Sequence, residues 1–253
     1  MFRKYIHTSS IVLIVLFTIS FSQNKKTLPN NVFANIRFVV AVPQGEFSDN
    51  VTNNGYGFDG DIGWYVYNGP IALGINIAGA QYGKSKRQIP YSYFSSLVTL
   101  TETTSSDIFI INPYIQPTLR FGDFSFYAKI FGGYQSLSTD TKILNEDQEN
   151  NYNDDDDDDQ PEYIAKSNVA TDGSFNYGAG VGLRFPVYRG GENGPIYASL
   201  ELKWSQGGEA EYLNPNKEGS IVLSDPSDGP VTTTLYPDKS KTDLFNISIG
   251  IGF

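Results

Sequence analysis

The sequence contains no cysteine. That absence removes a disulfide framework, thiolate metal sites and a lipid-modified cysteine behind a leader. Stability has to come from secondary structure and packing. Histidine is nearly absent as well, since the one residue of that type is His7, inside the leader described next. The mature chain therefore lacks imidazole for acid–base or nucleophilic chemistry. Cations are in short supply, with 18 Lys and Arg against 28 Asp and Glu. Nucleic acid is excluded as a partner on that ground, because phosphate binding needs clustered Lys and Arg. Nor does any stretch approach the roughly 20 consecutive apolar residues that a membrane-spanning helix requires.

The one compact apolar run stands at the start. Arg3 and Lys4 precede Ile11 to Ile19, and Ser20-Phe21-Ser22 offers a small-x-small cleavage pattern before Gln23. A run of about 9 to 12 residues is too short to span a bilayer and reads as a signal peptide over residues 1–22. A short segment, 23–31, follows. Residues 32–253 suit one all-β domain.

Within that domain, apolar and polar residues alternate in eight segments. The first four are Val32 to Val42, Tyr56 to Tyr67, Pro70 to Tyr82 and Asp107 to Phe121. The second four are Phe124 to Gln135, Ser174 to Val187, Pro195 to Ser205 and Thr242 to Phe253. Their connections alternate between short and long. Asn68-Gly69, Gly122-Asp123 and Tyr188 to Gly194 are tight and carry glycine, as hairpin turns do. Pro43 to Gly55, Gly83 to Ser106, Ser136 to Gly173 and Gln206 to Lys241 are long. Short turns on one rim and long loops on the other characterise outer-membrane barrels, whose short rim is periplasmic. Pro113 and Pro117 fall inside the fourth segment, where each lacks a ladder donor, so a bulge or a distorted strand is expected there.

Alternation alone does not say which face meets lipid; the composition of the faces does. The last segment sets Phe245, Ile247, Ile249, Ile251 and Phe253 against Asn246, Ser248, Gly250 and Gly252. The sixth sets Phe175, Tyr177, Ala179, Val181, Leu183 and Phe185 against Asn176, Gly178, Gly180, Gly182 and Arg184. A face exposed to water would carry many Lys, Glu and Thr. Glycine, serine and isolated charges suit a confined lumen, where the glycines make room for inward Tyr65, Tyr127 and Tyr197. Aromatic residues such as Tyr56, Trp64, Phe121, Phe124, Tyr134, Trp204 and Phe253 gather near segment ends on the apolar face, as in interfacial girdles.

Eight amphipathic strands, short-long connections and a final segment Leu244 to Phe253 that ends in Phe make the chain resemble the small outer-membrane barrels typified by OmpA, OmpX and OmpW. The resemblance implies an eight-stranded antiparallel up-and-down transmembrane β-barrel, with short periplasmic turns and long extracellular loops. It also implies that Phe253 is read by the barrel-assembly machinery during biogenesis, and that the surroundings are Gram-negative outer-membrane lipid and lipopolysaccharide.

Eight charges fall on the inward face: Arg37, Arg120, Lys129, Arg184 and Lys203, opposed by Asp59, Asp61 and Glu201. An eight-stranded barrel is about wide enough for its own side chains. Charges in so narrow a space cost several kcal/mol each unless paired. A salt-bridged plug is therefore expected, with an ion-selective constriction as the other reading. The third long loop, about residues 138–173, carries Asp154, Asp155, Asp156, Asp157, Asp158 and Asp159. Such a run is most simply a solvated tip. Weak calcium binding is the sharper alternative, although the glycine and the terminal glutamate of an EF-hand loop are missing. No cofactor is expected. Lys84, Lys86 and Arg87 form a small basic cluster beyond the third segment that could meet lipopolysaccharide phosphates. The expected function is non-enzymatic: surface loops displayed on a filled barrel, or docking to other envelope proteins. An accessory subunit of a larger outer-membrane transport or secretion complex, and a narrow porin, remain as alternatives.

Overall fold

The computed structural model describes residues 31–92, 95–145, 165–188, 195–223 and 233–253. The leader, most of segment 23–31 and Asp154 to Asp159 lie outside the described residues. Among the described residues there are twelve strands: β1 (Val32–Pro43), β2 (Gly55–Tyr65), β3 (Ile71–Ser92), β4 (Ser95–Phe121), β5 (Phe124–Asn145), β6 (Ala165–Tyr188), β7 (Ile196–Gly207), β8 (Glu209–Tyr212), β9 (Ile221–Leu223), β10 (Thr233–Leu235), β11 (Asp238–Lys241) and β12 (Leu244–Gly252). Eight of them close into an antiparallel barrel in the order β1-β12-β7-β6-β5-β4-β3-β2. Each strand pairs with its chain neighbour, and β12 closes the wall against β1, with Phe38 opposite Ile249 and Val42 opposite Phe245.

The two faces are those expected. Ile249 is 63% exposed, with Ile247 and Leu200 also on the outside, while Asn246 and Ser248 are buried inside. Aromatic pairs run along the outer wall, among them Tyr134 with Phe175 at 6.2 Å and Trp204 with Phe245 at 6.3 Å between ring centres.

Four strands are longer than alternation indicates. The expected loops Gly83 to Ser106 and Ser136 to Gly173 are in large part strand, because β3, β4, β5 and β6 continue past the apolar belt. Beyond the belt the outward positions are no longer apolar, so the alternation marker disappears while β-branched Thr keeps the backbone extended. Cross-strand hydroxyl pairs join these extensions, Ser106 with Thr139 at 2.8 Å and Thr104 with Thr141 at 2.9 Å. The last long connection also holds structure, with β8 paired to β11 and β9 to β10. In the first, a short helix α1 (Glu46–Asn50) forms.

Helix α1 and β8 fold back into the barrel mouth. Phe47 sits edge-on to Tyr212 at 4.9 Å and to Tyr82 at 5.7 Å. Asn50 Nδ2 donates to Tyr212 Oη at 3.1 Å, and Asn214 Nδ2 donates to the Asn50 carbonyl at 2.9 Å. Together with Ala80, Ile108, Ile110 and Leu137, the aromatic residues Phe47, Tyr82 and Tyr212 make an apolar core at the long-loop end of the lumen. A second apolar group, Phe33, Tyr65, Ala72, Tyr114 and Phe131, lies toward the short-turn end. Arg37, Asp59, Asp61, Lys129, Glu201 and Lys203 lie between.

The segment that carries the prolines departs from expectation. No bulge occurs at either residue: β4 keeps one register against β3 through Pro113 opposite Ile75 and Pro117 opposite Ile71. Toward β5 the rungs at 112–113 and 116–117 are missing, although Ile111–Tyr134, Tyr114–Phe131, Ile115–Ile130 and Thr118–Tyr127 hold the same register. Thr118 gives its N–H to Pro70 on the β3 side. Successive residues point opposite ways, so both prolines turn their missing donors to β5, which loses rungs without slipping.

One of the two described tight turns behaves as glycine chemistry requires. Gly122 has φ 63 and opens the two-residue hairpin between Phe121 and Phe124, which takes a positive φ at its first central position. In the turn after β2 the positive φ falls on Tyr67, at φ 50 and ψ 34. A residue with a Cβ pays about 1–2 kcal/mol in that region, which Asn tolerates better. Tyr67→Asn is expected to raise unfolding stability by about 1 kcal/mol, measured by urea titration in detergent; unchanged stability would show that the exposed ring compensates through contacts of its own.

Beyond the belt, exposed Asp172 accepts the N–H groups of Glu211 and Gly173, each at 2.8 Å. These two backbone donors hold its carboxyl below the usual carboxylate range. A depressed folded value means that the contact contributes above the ordinary Asp pKa and is lost as pH falls through the folded one. The Glu211 amide is expected to be protected from hydrogen exchange near neutrality and to lose protection on acidification. Asp172→Asn should remove that pH dependence.

Candidate functional site in the barrel lumen

The charged layer is assembled by parity. Arg37 on β1, Asp59 and Asp61 on β2, Lys129 on β5, and Glu201 and Lys203 on β7 all occupy inward positions of their strands. The register then sets Arg37 opposite Asp59, and Asp61 opposite Asn35 and Asn76. Arg37 Nη2 reaches Asp59 Oδ1 and Asp61 Oδ2, both at 2.5 Å, with Nε adding a bond to Asp59 Oδ1 at 3.0 Å. Lys129 Nζ bridges Asp61 Oδ2 at 2.5 Å and Glu201 Oε2 at 2.7 Å. Lys203 pairs with Asp59 and lies 3.5 Å from Glu201 Oε1, to which Arg37 Nη2 approaches at 3.6 Å. Three cations and three carboxylates thus share one ring, with the side chains of Arg37, Asp59, Asp61 and Glu201 at 0% exposure.

Neutral partners meet much of what remains, Arg37 Nη1 and Glu201 Oε1 excepted. Tyr127 Oη donates to Glu201 Oε2 at 2.8 Å, Asn35 donates to Asp61, and Asn76 Nδ2 donates to Asp59 Oδ1 at 3.2 Å while its Oδ1 accepts from Lys203 at 3.0 Å. Inside a protein such attractions are much stronger than in water, and they offset a desolvation cost of several kcal/mol per ion only when the remaining donors and acceptors are also met. The three carboxylates come within 4.8 Å of one another, a spacing that a divalent cation could bridge. Here Arg37, Lys129 and Lys203 supply that positive charge.

Arg184 and Arg120, also inward, stand apart from the ring. The Arg184 guanidinium lies 4.1 Å from the centre of the Phe33 ring and 4.8 Å from that of Tyr127, and Arg120 lies 4.7 Å from that of Tyr65. Stacking on aromatic faces is an Arg speciality that partly replaces lost hydration. Glycines create the room. A Cβ on Gly182 would strike the Tyr127 ring, and one on Gly74 would strike Tyr114. Of the three tyrosines for which inward space was expected, Tyr127 is the one seen seated on a glycine.

The other expected residues are placed as follows. Phe253 is exposed on the outer wall, and its backbone exchanges hydrogen bonds with Ala34 at 2.9 and 3.0 Å, sealing the β12–β1 closure. Arg87 is not part of a free basic cluster: it forms a forked pair with Glu102 at 2.5 and 2.9 Å on the β3 and β4 extensions, leaving Lys84 and Lys86 exposed. Sequence reasoning did not find Asn35 and Asn76, although both share the inward parity of the charges. It also did not find Phe47 and Tyr212, which lie in segments too short to show a period.

The sequence matches no family model and no curated protein. Solved structures similar to this chain include Neisserial surface protein A, 8% identical, with TM-score 0.39, covering 88% of this chain and 96% of that one. The outer membrane protease OmpT from Escherichia coli is 9% identical, with TM-score 0.35 and coverage of 91% and 99%. Strand pairing decides the architecture. The chain is a closed eight-stranded antiparallel β-barrel. Its lumen holds an apolar cap, a neutral six-charge ring and an aromatic–arginine layer, stacked from the long-loop end to the short-turn end.

Proposed function

We propose that this barrel is an integral protein of a Gram-negative outer membrane, exported by the leader at residues 1–22, with a plugged lumen and no catalytic role. The observation that carries the reading is the outer wall. Between Tyr56 and Trp64 on β2, Phe175 and Phe185 on β6, and Phe245 and Phe253 on the closing edge, the outward positions carry no charged side chain among the described residues. On a water-soluble protein, an apolar patch beyond a few hundred Å² would be an aggregation hazard. Facing acyl chains it is the required surface, about 25 Å tall and edged by aromatic residues.

The ring supports a plug in place of a narrow porin, since its six charges are already paired and the apolar cap lies above it. Every buried ring carboxylate is committed to a cation, so the ring itself offers no spare acid or base. The working surfaces are then the outer wall and the extracellular extensions of β3 to β6, which would display loops or dock other envelope proteins, including as a subunit of a larger complex. Exposed Lys84 and Lys86 are suited to lipopolysaccharide phosphates, and Phe253 to recognition by the assembly machinery. Calcium capture at Asp154 to Asp159 is tested by calorimetry on the intact chain and on one with those residues changed to Ser.

Planar-bilayer recording on the purified mature chain tests the central claim. Detergent-dependent solubility and the absence of steady conductance are expected. A chain that stays monomeric in plain buffer would overturn the membrane reading, and stable nanosiemens currents would overturn the plug.

A further inference from the structure

We propose that the short-turn end of the lumen binds a small monovalent anion, of chloride size, between Arg184, Ser199 and Arg37. The first observation is a row in the wall. Arg184 pairs with Ser199, Ser199 with Gly250, and Gly250 with Arg37, so four adjacent strands present these residues side by side. A Cβ on Gly250 would collide with the β1 backbone and the stem of Arg37, so the glycine keeps the wall between Arg37 and Ser199 clear of side-chain atoms.

The second observation is that donors along this row have no partner among the described residues. They are Nε and Nη2 of Arg184, Nη1 of Arg37 and Oγ of Ser199, with Oγ of Ser248 beside them on β12. Arg184 is only 6% exposed and Ser199 only 1%. The two Arg184 nitrogens form one edge of the guanidinium fork, the geometry that grips an anion with two parallel N–H bonds. Phe33 and Tyr127 are stacked on the guanidinium, and Nη1 contacts Tyr65 Oη at 3.5 Å. The free edge is therefore directed in the plane between the rings.

Charge gives the valence. The ring is balanced within itself, three against three, so Arg184 is a further buried cation with no carboxylate at ion-pairing distance among the described residues. An uncompensated buried charge costs several kcal/mol. One negative charge cancels it; a divalent anion would overshoot. A packed lumen of eight strands favours a single atom over a polyatomic ion. The inference does not rest on the plug, because a conducting barrel would hold the same ion in faster exchange.

The test uses the full mature chain in detergent, titrated with sodium chloride or bromide against sodium gluconate at constant ionic strength, with the thermal midpoint as readout. A saturable rise with either halide is expected. Arg184→Gln should abolish the rise, Ser199→Ala should raise the halide concentration needed about tenfold, and Lys84→Gln on the exposed extension should leave it unchanged. Crystals grown in bromide should show an anomalous peak within about 3.5 Å of the Arg184 fork edge, which keeps the test independent of whether Arg184→Gln folds. Equal midpoints in gluconate and halide, an undiminished rise in Arg184→Gln, or no bromide peak in the wild type would each overturn the site.

Discussion

Glu201→Gln is expected to destabilise the barrel by about 3–5 kcal/mol, the range found when one partner of a buried ion pair is removed. The substitution preserves shape, so the loss comes from charge. Glu201 Oε2 accepts from Lys129 at 2.7 Å and Tyr127 at 2.8 Å, while Oε1 faces Lys203 at 3.5 Å and Arg37 at 3.6 Å. Neutralising it leaves three cations against two carboxylates in a layer sealed from water. Urea unfolding in lipid vesicles measures the change. A double variant, Glu201→Gln with Lys129→Met, restores the balance and should recover more than half of the loss. If the single variant lost less than about 1 kcal/mol, the level of an exposed pair, the ring would have to be hydrated.

Ile249→Arg tests the opposite face. Ile249 lies midway along the outward row from Phe245 to Phe253 and is 63% exposed. In water such a change is nearly free, since surface substitutions stay within about 0.5 kcal/mol. At the midplane of a bilayer, an outward Arg on a barrel costs about 2–4 kcal/mol. Ser105→Arg, on the β4 extension beyond the belt, is the control and should shift stability by less than about 0.5 kcal/mol. Equal effects at the two positions would mean that no bilayer surrounds the wall.

Much of this architecture was legible because a strand has a strict period of two. Once the eight segments were recognised, parity alone sent Arg37, Asp59, Asp61, Arg120, Lys129, Arg184, Glu201 and Lys203 inward, and the structure places all eight there. Parity does not give height along the axis, which depends on register added up around the wall. Which charge meets which was therefore hidden, as was the separation of Arg184 and Arg120 from the six-membered ring. The extensions of β3 to β6 were missed because their outward positions lack the apolar stripe by which strands are found. Helix α1 and β8 escaped for a related reason. Five residues or fewer show no period, and the packing of Phe47 on Tyr212 joins positions far apart in the chain.

The prolines of β4 leave one further consequence. A cylinder of identical rungs has no preferred line along which to tear, since every interface is stitched like the next. Here β4 and β5, tied at one end by the Gly122-Asp123 turn, meet along a seam with two gaps on the same side. Thermal breathing of the wall should begin on that line and leave the β3–β4 and β5–β6 ladders whole on either bank.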